Sequence, residues 1–418
     1  MNRLLFGIYK GATRAYFTIL HFLAALGHSA ARQRVQGLSK PPKCWKHPAP
    51  GDKVVWFHCA SAGELEQAIP ILERLRYARP EAFLLVTVFS GSGFNFALRK
   101  KDWPAHALAF LPDDRPEDIR RFLNQWNPTL AIFVKYEFWW GILNEVRQRG
   151  IPLFLISAHF TPRHKRLLLF FRRVLPLFTK IWVQDGVSQK FVEACGAEAE
   201  IVGDTRVDRV LDIRSRRASV EQAFSRPAHP LVVLGSVWPQ DMPVLEPVFK
   251  ELRSTCVCIV CPHKPREFLQ TLETQLKKLE CETWERVSEL LKNARPGLHV
   301  LLEMGVLSWL YGLAEWAYVG GGFGRGVHNT LEAAVWRIPV FCGPRVERFR
   351  EALELQEAGV LRIIEDAREL KTALAAFNVQ YLEQVRTACD AYFLRHAGAS
   401  DRITHQVLHV LDSNPEPN

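Results

Sequence analysis

From Lys53 onward the chain repeats one pattern: a short, wholly apolar run followed by a stretch with helical spacing. Val54–Cys59, Phe83–Phe89, Ala107–Leu111, Thr129–Val134, Pro152–Ser157 and Lys180–Gln184 read as strands. Glu64–Arg76, Asn95–Lys101, Asp113–Trp126 and Trp139–Arg149 read as the helices between them. Strands that are apolar on both faces need cover on both faces, which predicts a parallel sheet built from βα units. The pattern lapses into a polar, arginine-rich stretch over Gly203–Ala228 and then restarts. Leu231–Leu234, Val257–Cys261, His299–Leu302, Ala317–Val319 and Pro339–Cys342 are the second set of strands. Two similar α/β halves with a cleft between them follow. A chain of 418 residues suffices for two domains, at ~150–200 residues each. The expected divisions are 1–35, 53–215, 225–385 and 386–412, the last a helix that can return to brace the first half.

Net charge is +10, and nearly all of the excess lies before Asp52. That segment has no acidic residue, while Arg3, Lys10, Arg14, Arg32, Arg34, Lys40, Lys43 and Lys46 are basic. A local excess of this kind suits an anionic membrane surface and not a nucleic acid. Arg3, Lys10, Arg14, His21 and His28 fall on one stripe at about 100° per residue. The uncharged run Ala15–Gly27 is too short to cross a bilayer, which needs about 20 residues. An interfacial or shallowly inserted helix on the cytoplasmic side is the leading reading. A cleaved signal peptide and an amphipathic helix packed on the domain are its rivals. Residues 35–52, rich in Pro, Lys and Gly, read as a linker. Nine scattered cysteines show no disulfide framework and argue for a reducing compartment. Cys256 and Cys258 share one strand face and Cys261 takes the other, so buried thiols are expected there and no metal site.

Six stretches carry candidate chemistry. Val319–Pro344 runs from a strand through a glycine-rich loop, Gly320–Gly326, to a helix opening at Asn329 and ending near Arg337. Glycines let backbone N–H groups approach a phosphate, and a helix N-terminus favours an anion. The bland alternative is a tight turn with Asn329 and Glu332 as a capping box. No dinucleotide or nucleoside-triphosphate fingerprint fits. Ser61-Ala62-Gly63-Glu64 mirrors that turn in the first half. Glu64 in a first helical turn should be ionised and could act as a general base, or could simply close a capping box with Ser61. Lys135-Tyr136-Glu137-Phe138-Trp139-Trp140 sets a carboxylate beside two tryptophans, suited to a polar ligand with apolar faces. Arg206, within Gly203–Asp208, could stabilise developing negative charge or be a solvated linker charge. Pro262-His263-Lys264-Pro265-Arg266 is a second phosphate or base contact. Arg163–Arg173 mixes cations with bulky apolar groups and could meet a phosphorylated lipid headgroup or form a buried helix with basic ends.

Taken in order, Ser-Ala-Gly-Glu, Tyr-Glu-Phe-Trp, Gly-Asp-Thr-Arg-Val-Asp, Pro-His-Lys-Pro-Arg-Glu-Phe and Gly-Gly-Gly-Phe-Gly-Arg-Gly-Val-His-Asn-Thr-Leu-Glu-Ala-Ala resemble the 3-deoxy-D-manno-octulosonic acid (Kdo) transferases of lipopolysaccharide synthesis. The resemblance implies a GT-B fold of two Rossmann-like, doubly wound domains. It implies inverting transfer of Kdo from CMP-Kdo to a lipid A precursor at the cytoplasmic face of the inner membrane, with no metal in the chemical step. By the same resemblance Glu64 is the base, and Glu137 and Arg206 stabilise the transition state. Pro262, His263, Met304, Gly305, Val306, Asn329, Thr330, Leu331 and Glu332 match the CMP contacts. His263 stands where the family often has Arg, Arg206 where it often has Lys, Lys135 where it often has Glu, and Trp140 where it often has Pro. A glycosyltransferase of the same fold using a UDP-sugar, and a non-catalytic nucleotide-binding membrane protein, are the competing readings.

Overall fold

The computed structural model describes residues 2–49, 51–216 and 227–413, with side chains from residue 4 onward. Residues 217–226, the centre of the arginine-rich lapse, lie outside the described residues, as does the Arg3 side chain. Two compact units emerge: Met1–Arg209 with Ala397–Asn418, and Val210–His396. The first boundary falls inside the helix Thr205–Ser215, within the polar stretch but ahead of the expected division between 215 and 225. The second falls between the helices Val379–His396 and Ala399–Ser413.

The first unit carries strands β1 (Lys43–Cys44), β2 (Val54–Cys59), β3 (Phe83–Val88), β4 (Ala107–Phe110), β5 (Leu130–Val134), β6 (Leu153–Ala158), β7 (Lys180–Val183) and β8 (Glu200–Ile201). Their order is β1-β4-β3-β2-β5-β6-β7-β8, parallel except for the β1 edge. Alternate residues of β2 and β3 serve opposite faces, as the two-residue period requires. Val54, Trp56, Phe83 and Leu85 pack under the Pro116–Trp126 and Trp140–Gln148 helices. Val55, Phe57, Leu84 and Val86 pack under the Ala62–Ala78 helix and the C-terminal helix. That last helix returns to the first unit through Ile403, Val407 and Leu411, spaced four apart and all buried. Each such burial is worth about 1.5–3 kcal/mol. Asp208 accepts from the N–H groups of Gly398 (2.7 Å) and Ser400 (2.6 Å), tying down its first turn.

The N-terminal segment departs from the expected stripe. A helix over Asn2–Ala25 lies on the first unit. Its Tyr9 hydroxyl donates to Asp114 (2.6 Å), and Phe6 and Phe17 rest on Trp140 and Trp139. His21 pairs with Asp113 at 3.0 Å and His28 caps a second helix, Ser29–Leu38, so neither is free for a lipid surface. Arg34 is buried, donating to the carbonyls of Phe89 and Leu111 and to Asp113. Of the expected linker, residues 35–38 belong to that second helix and Lys43–Cys44 form an edge strand. A helical wheel could not place Tyr9, His21 or Arg34, because their side-chain partners lie between 55 and 105 residues away. On the opposite side of the first helix Leu4, Ile8, Ile19 and Phe22 are exposed. Among the described residues no helix is long and apolar enough to cross a membrane.

The second unit holds β9 (Leu231–Val237), β10 (Val257–Pro262), β11 (Glu282–Trp284), β12 (Gly297–Leu301), β13 (Trp316–Val319), β14 (Val340–Cys342) and β15 (Leu361–Ile363). The order β11-β12-β10-β9-β13-β14-β15 is parallel throughout. Cys258 and Cys261 are buried in β10, and burial pushes the Cys261 thiol up to about 12. Each unit is therefore a doubly wound α/β domain of the kind that the GT-B class pairs.

Candidate active site

In a doubly wound sheet, ligands bind beyond the carboxyl ends of the strands where the strand order reverses. In the first unit that point lies between β2 and β5. Glu64 follows β2 and Glu137 follows β5. Glu64 sits in the first turn of the Ala62–Ala78 helix, only 8% exposed. Its Oε2 accepts from the Ala60 N–H, and the Ser61 hydroxyl caps nothing. The expected capping box therefore lacks its Ser61 hydroxyl half, while the Glu64 carboxylate meets the N–H groups of both Ser61 and Ala60. Nor is Glu64 fully ionised at neutral pH, as the helix dipole alone would have it. Burial, then the charge of Glu137, pushes its pKa up to about 7, against the smaller opposing effects of the Ala60 N–H and Lys135.

Glu137 behaves in the opposite way. Burial works against its ionisation, but hydrogen bonds from His58 (2.9 Å) and Trp139 (2.6 Å) outweigh it and bring the pKa below the ordinary value. Only one of the two expected tryptophans attends the carboxylate; Trp140 is packed against the N-terminal helix. The loop is entered through Lys135 at φ 65°, a left-handed conformation that a lysine adopts only under tertiary constraint.

Arg206 opens the Thr205–Ser215 helix and is no loose linker charge. Its Nε and Nη2 donate to Asp204 Oδ2 at 2.8 and 2.6 Å. Burial raises the Asp204 pKa, but Arg206 outweighs it and brings the value to about 2. Asp204 also accepts from Gln67 (3.1 Å), and Thr205 donates to the Gln67 carbonyl (2.8 Å). Gln67 lies on the helix that carries Glu64, so one element positions both ends of the group. Burial pushes the Tyr136 phenol up to about 12, with the charge of Arg206 lowering it and that of Glu64 raising it.

In the second unit the order reverses between β9 and β13. The glycine loop follows β13, but its N–H groups are largely spent within the protein. Gly320 donates to Gly235, Gly324 and Gly326 to Gly321, and Gly321 to the buried Asp241. The glycines serve close packing instead: a Cβ on Gly320 would collide with Ser236 and Val237, and one on Gly322 with Gly343. The helix behind it covers only Leu331–Ala334, with Thr330 as N-cap. Asn329 bonds the Leu331 N–H (3.2 Å) and donates to Glu332 (3.1 Å). Thr330 and Leu331 are fully buried, so any contact with a ligand would use their main chain. Pro262 is buried at the end of β10, while Met304 and Gly305 are exposed in the turn after β12. His263 lies flat against two rings that sequence reasoning did not single out, Trp238 and His328, which are themselves parallel to within 3° and 6.2 Å apart. Trp238 is 4.7 Å and His328 4.3 Å from it, centroid to centroid. The Trp238 indole donates to His328 Nε2 at 2.8 Å. Lys264 is paired with Glu267 at 2.7 Å.

A sequence model of the family described as 3-deoxy-D-manno-octulosonic-acid transferase (kdotransferase) matches residues 29–209. A 3-deoxy-D-manno-octulosonic acid transferase of Rickettsia felis is 27% identical over 71% of this chain, and the chain spans 65% of that protein's length. A bifunctional glycosyltransferase/methyltransferase of Fusobacterium nucleatum is 23% identical over 80% of this chain, which spans 51% of its length. A 3-deoxy-D-manno-octulosonic acid transferase of Haemophilus influenzae is 24% identical over 95% of this chain and 96% of its own. Among solved structures, a glycosyltransferase from Rickettsia africae shares the fold at a TM-score of 0.57 and 10% identity, over 87% of this chain and all of its own. MurG of Acinetobacter baumannii does so at 0.52 and 13%, over 85% of this chain and 99% of its own. With its two doubly wound units and its motifs in order, the chain is similar to the Kdo transferases, by the family model over residues 29–209 and by these relatives over most of its length.

Proposed function

We propose that the protein is an inverting transferase moving Kdo from CMP-Kdo to a hydroxyl of a lipid A precursor, at the cytoplasmic face of the inner membrane and without a metal in the chemical step. Glu64 takes the acceptor hydroxyl proton as that oxygen attacks the anomeric carbon. The bond from that carbon to the phosphate oxygen breaks, and its electron pair leaves with CMP. Attack opposite the leaving group inverts the centre. The observation that supports this reading is Glu64 itself: a buried carboxylate at the switch point, its pKa near 7, can both accept and release a proton at neutral pH. Ionised Glu137 would offset positive charge on the sugar, and Arg206 negative charge on the departing phosphate. His263, Met304, Gly305, Val306, Asn329 and Glu332 would hold CMP, with Pro262, Thr330 and Leu331 contributing main chain.

The exposed ridge Leu4, Ile8, Ile19 and Phe22, flanked by exposed Lys10 and Arg14, would lie on an anionic bilayer. Incubation with CMP-Kdo and a tetra-acylated precursor, followed by mass spectrometry of the lipid, should show an added Kdo. No CMP release by the wild type, or full activity in Glu64→Gln, would overturn the reading. Co-sedimentation with anionic vesicles should fall in Ile19→Glu/Phe22→Glu; unchanged sedimentation would end the membrane assignment.

A further inference from the structure

His58 is the fifth residue of β2 and is completely buried. Both of its ring nitrogens are engaged. Nε2 is 2.9 Å from Glu137 Oε2. Nδ1 is 2.9 Å from the Thr87 hydroxyl and 3.2 Å from the Thr87 carbonyl. Behind it, the Trp56 indole N–H donates to the same hydroxyl at 2.8 Å. The indole can only donate, so the Thr87 hydroxyl accepts from it. The Thr87 hydroxyl, having accepted from Trp56, has one proton to give. The Phe57 carbonyl lies 3.4 Å away and His58 Nδ1 2.9 Å, so the ring nitrogen is the better acceptor. An imidazole that accepts at Nδ1 carries its proton at Nε2. That proton points at Glu137.

Resting on the reading of Glu137 as a catalytic carboxylate, we propose that His58 is its positioning residue: the Trp56–Thr87 relay sets its tautomer, and its Nε2–H pins Glu137 by Oε2. The Trp139 indole donates to the same oxygen. Among the described residues Oε1 has no hydrogen-bond partner, so it is the oxygen left for the substrate. The arrangement gives an anion two fixed donors on the side away from the reaction and holds its other oxygen at one orientation, as outer partners do for metal-ligating carboxylates. A histidine satisfied merely as part of the core would need no particular partner at Nε2.

Two measurements test this. The first is ¹⁵N NMR of the full-length protein with labelled histidine. His58 should show a protonated Nε2 and a bare Nδ1 across pH 6–8. A proton on Nδ1, alone or together with one on Nε2, overturns the relay. The second is kinetic. His58→Leu should lose about 10–100-fold in kcat, the usual scale for loss of an outer partner, with KM for CMP-Kdo within about twofold. His58→Gln, whose amide can still donate to Oε2, should recover most of that loss at a similar melting temperature. Equal kcat in His58→Leu and wild type, or no recovery in a folded His58→Gln, overturns the proposal. Should His58→Leu fail to fold, Thr87→Val, which removes only the relay hydroxyl, carries the kinetic test: it should lower kcat in the same direction, and an unchanged kcat would overturn it. If the wild type transfers no Kdo, the proposed function fails, while the NMR result still stands or falls on its own.

Discussion

The two units reverse strand order in the same way and place loops at the same point, yet they furnish it with opposite chemistry. Between β2 and β5 the first unit buries two carboxylates, one held ionised and the other lifted to about 7. Between β9 and β13 the second unit sets a cluster of three neutral rings beside a loop whose own N–H groups are largely bonded within the protein. Partial desolvation against the neighbouring rings, then the charge of Lys264, lowers the pKa of His263, and burial brings that of His328 down to about 4. Topology fixes where a crevice lies, and the side chains at strand ends decide whether it moves protons or holds rings and phosphates.

The sharpest way to break this contrast is Glu64→Gln. Loss of the base should lower kcat on the order of 10²–10⁴-fold, with donor KM little changed. The same substitution should stabilise the protein at alkaline pH. The folded pKa of Glu64 lies above its ordinary 4.5, so its favourable contribution is full below about 4.5 and is lost as pH rises through about 7. Glutamine mimics the protonated form and escapes that loss, which at pH 8 amounts to about 3 kcal/mol by 1.36 kcal/mol per unit. Thermal melts at pH 5 and pH 8 check it. A variant no more stable than wild type at pH 8 would mean that the carboxylate is not strained by burial.

Gly322→Ala should be next in size. Its methyl would meet the Gly343 backbone, and neither chain segment can withdraw without breaking the Arg345-to-Gly322 bond. A loss of about 1–3 kcal/mol is expected from such overpacking, read as a lower denaturation midpoint. A stable variant with a weakened donor KM would instead return the loop to the role of a phosphate cradle.

That loop marks the limit of what the residues disclosed. The alternation of apolar runs and helical stretches gave the long strands and the helices within a few residues, because burial on both faces leaves a compositional trace. The edge pieces Lys43–Cys44, Glu200–Ile201, Glu282–Trp284 and Leu361–Ile363 left none, being two or three residues long and partly charged. A glycine, however, reads alike whether its missing side chain makes room for a ligand or for Gly343. Glu64 and Glu137 were legible as carboxylates at strand ends. Their ionisation was not, since each depends on a residue about 75 positions away in the chain, and the helix dipole was the only local effect in view. His58 sits inside an apolar strand, where spacing alone would assign it to the core.

The coupling between the two carboxylates predicts a smaller effect. Glu137→Gln removes the charge that raises Glu64, so the acid limb of the kcat profile in the residual activity should move from about pH 7 toward lower pH. A limb that stays in place would make burial alone responsible, and the first crevice would then differ from the second only in residue type.

The smallest effect tests the other side. Trp238→Phe keeps a ring against His263 and removes the indole N–H that His328 Nε2 accepts. One partly exposed hydrogen bond is worth about 0.5–1.5 kcal/mol, so stability should fall slightly. The lost donor favoured the neutral imidazole, and its removal should raise the His328 pKa. Burial, the leading cause of the depression, persists, so the value should stay below the ordinary 6.5. A ¹⁵N titration of both forms measures this. If wild-type His328 already charged near pH 6.5, the second crevice would change its charge within the pH range where the first one works, and the division of labour between the two strand-order reversals would not hold.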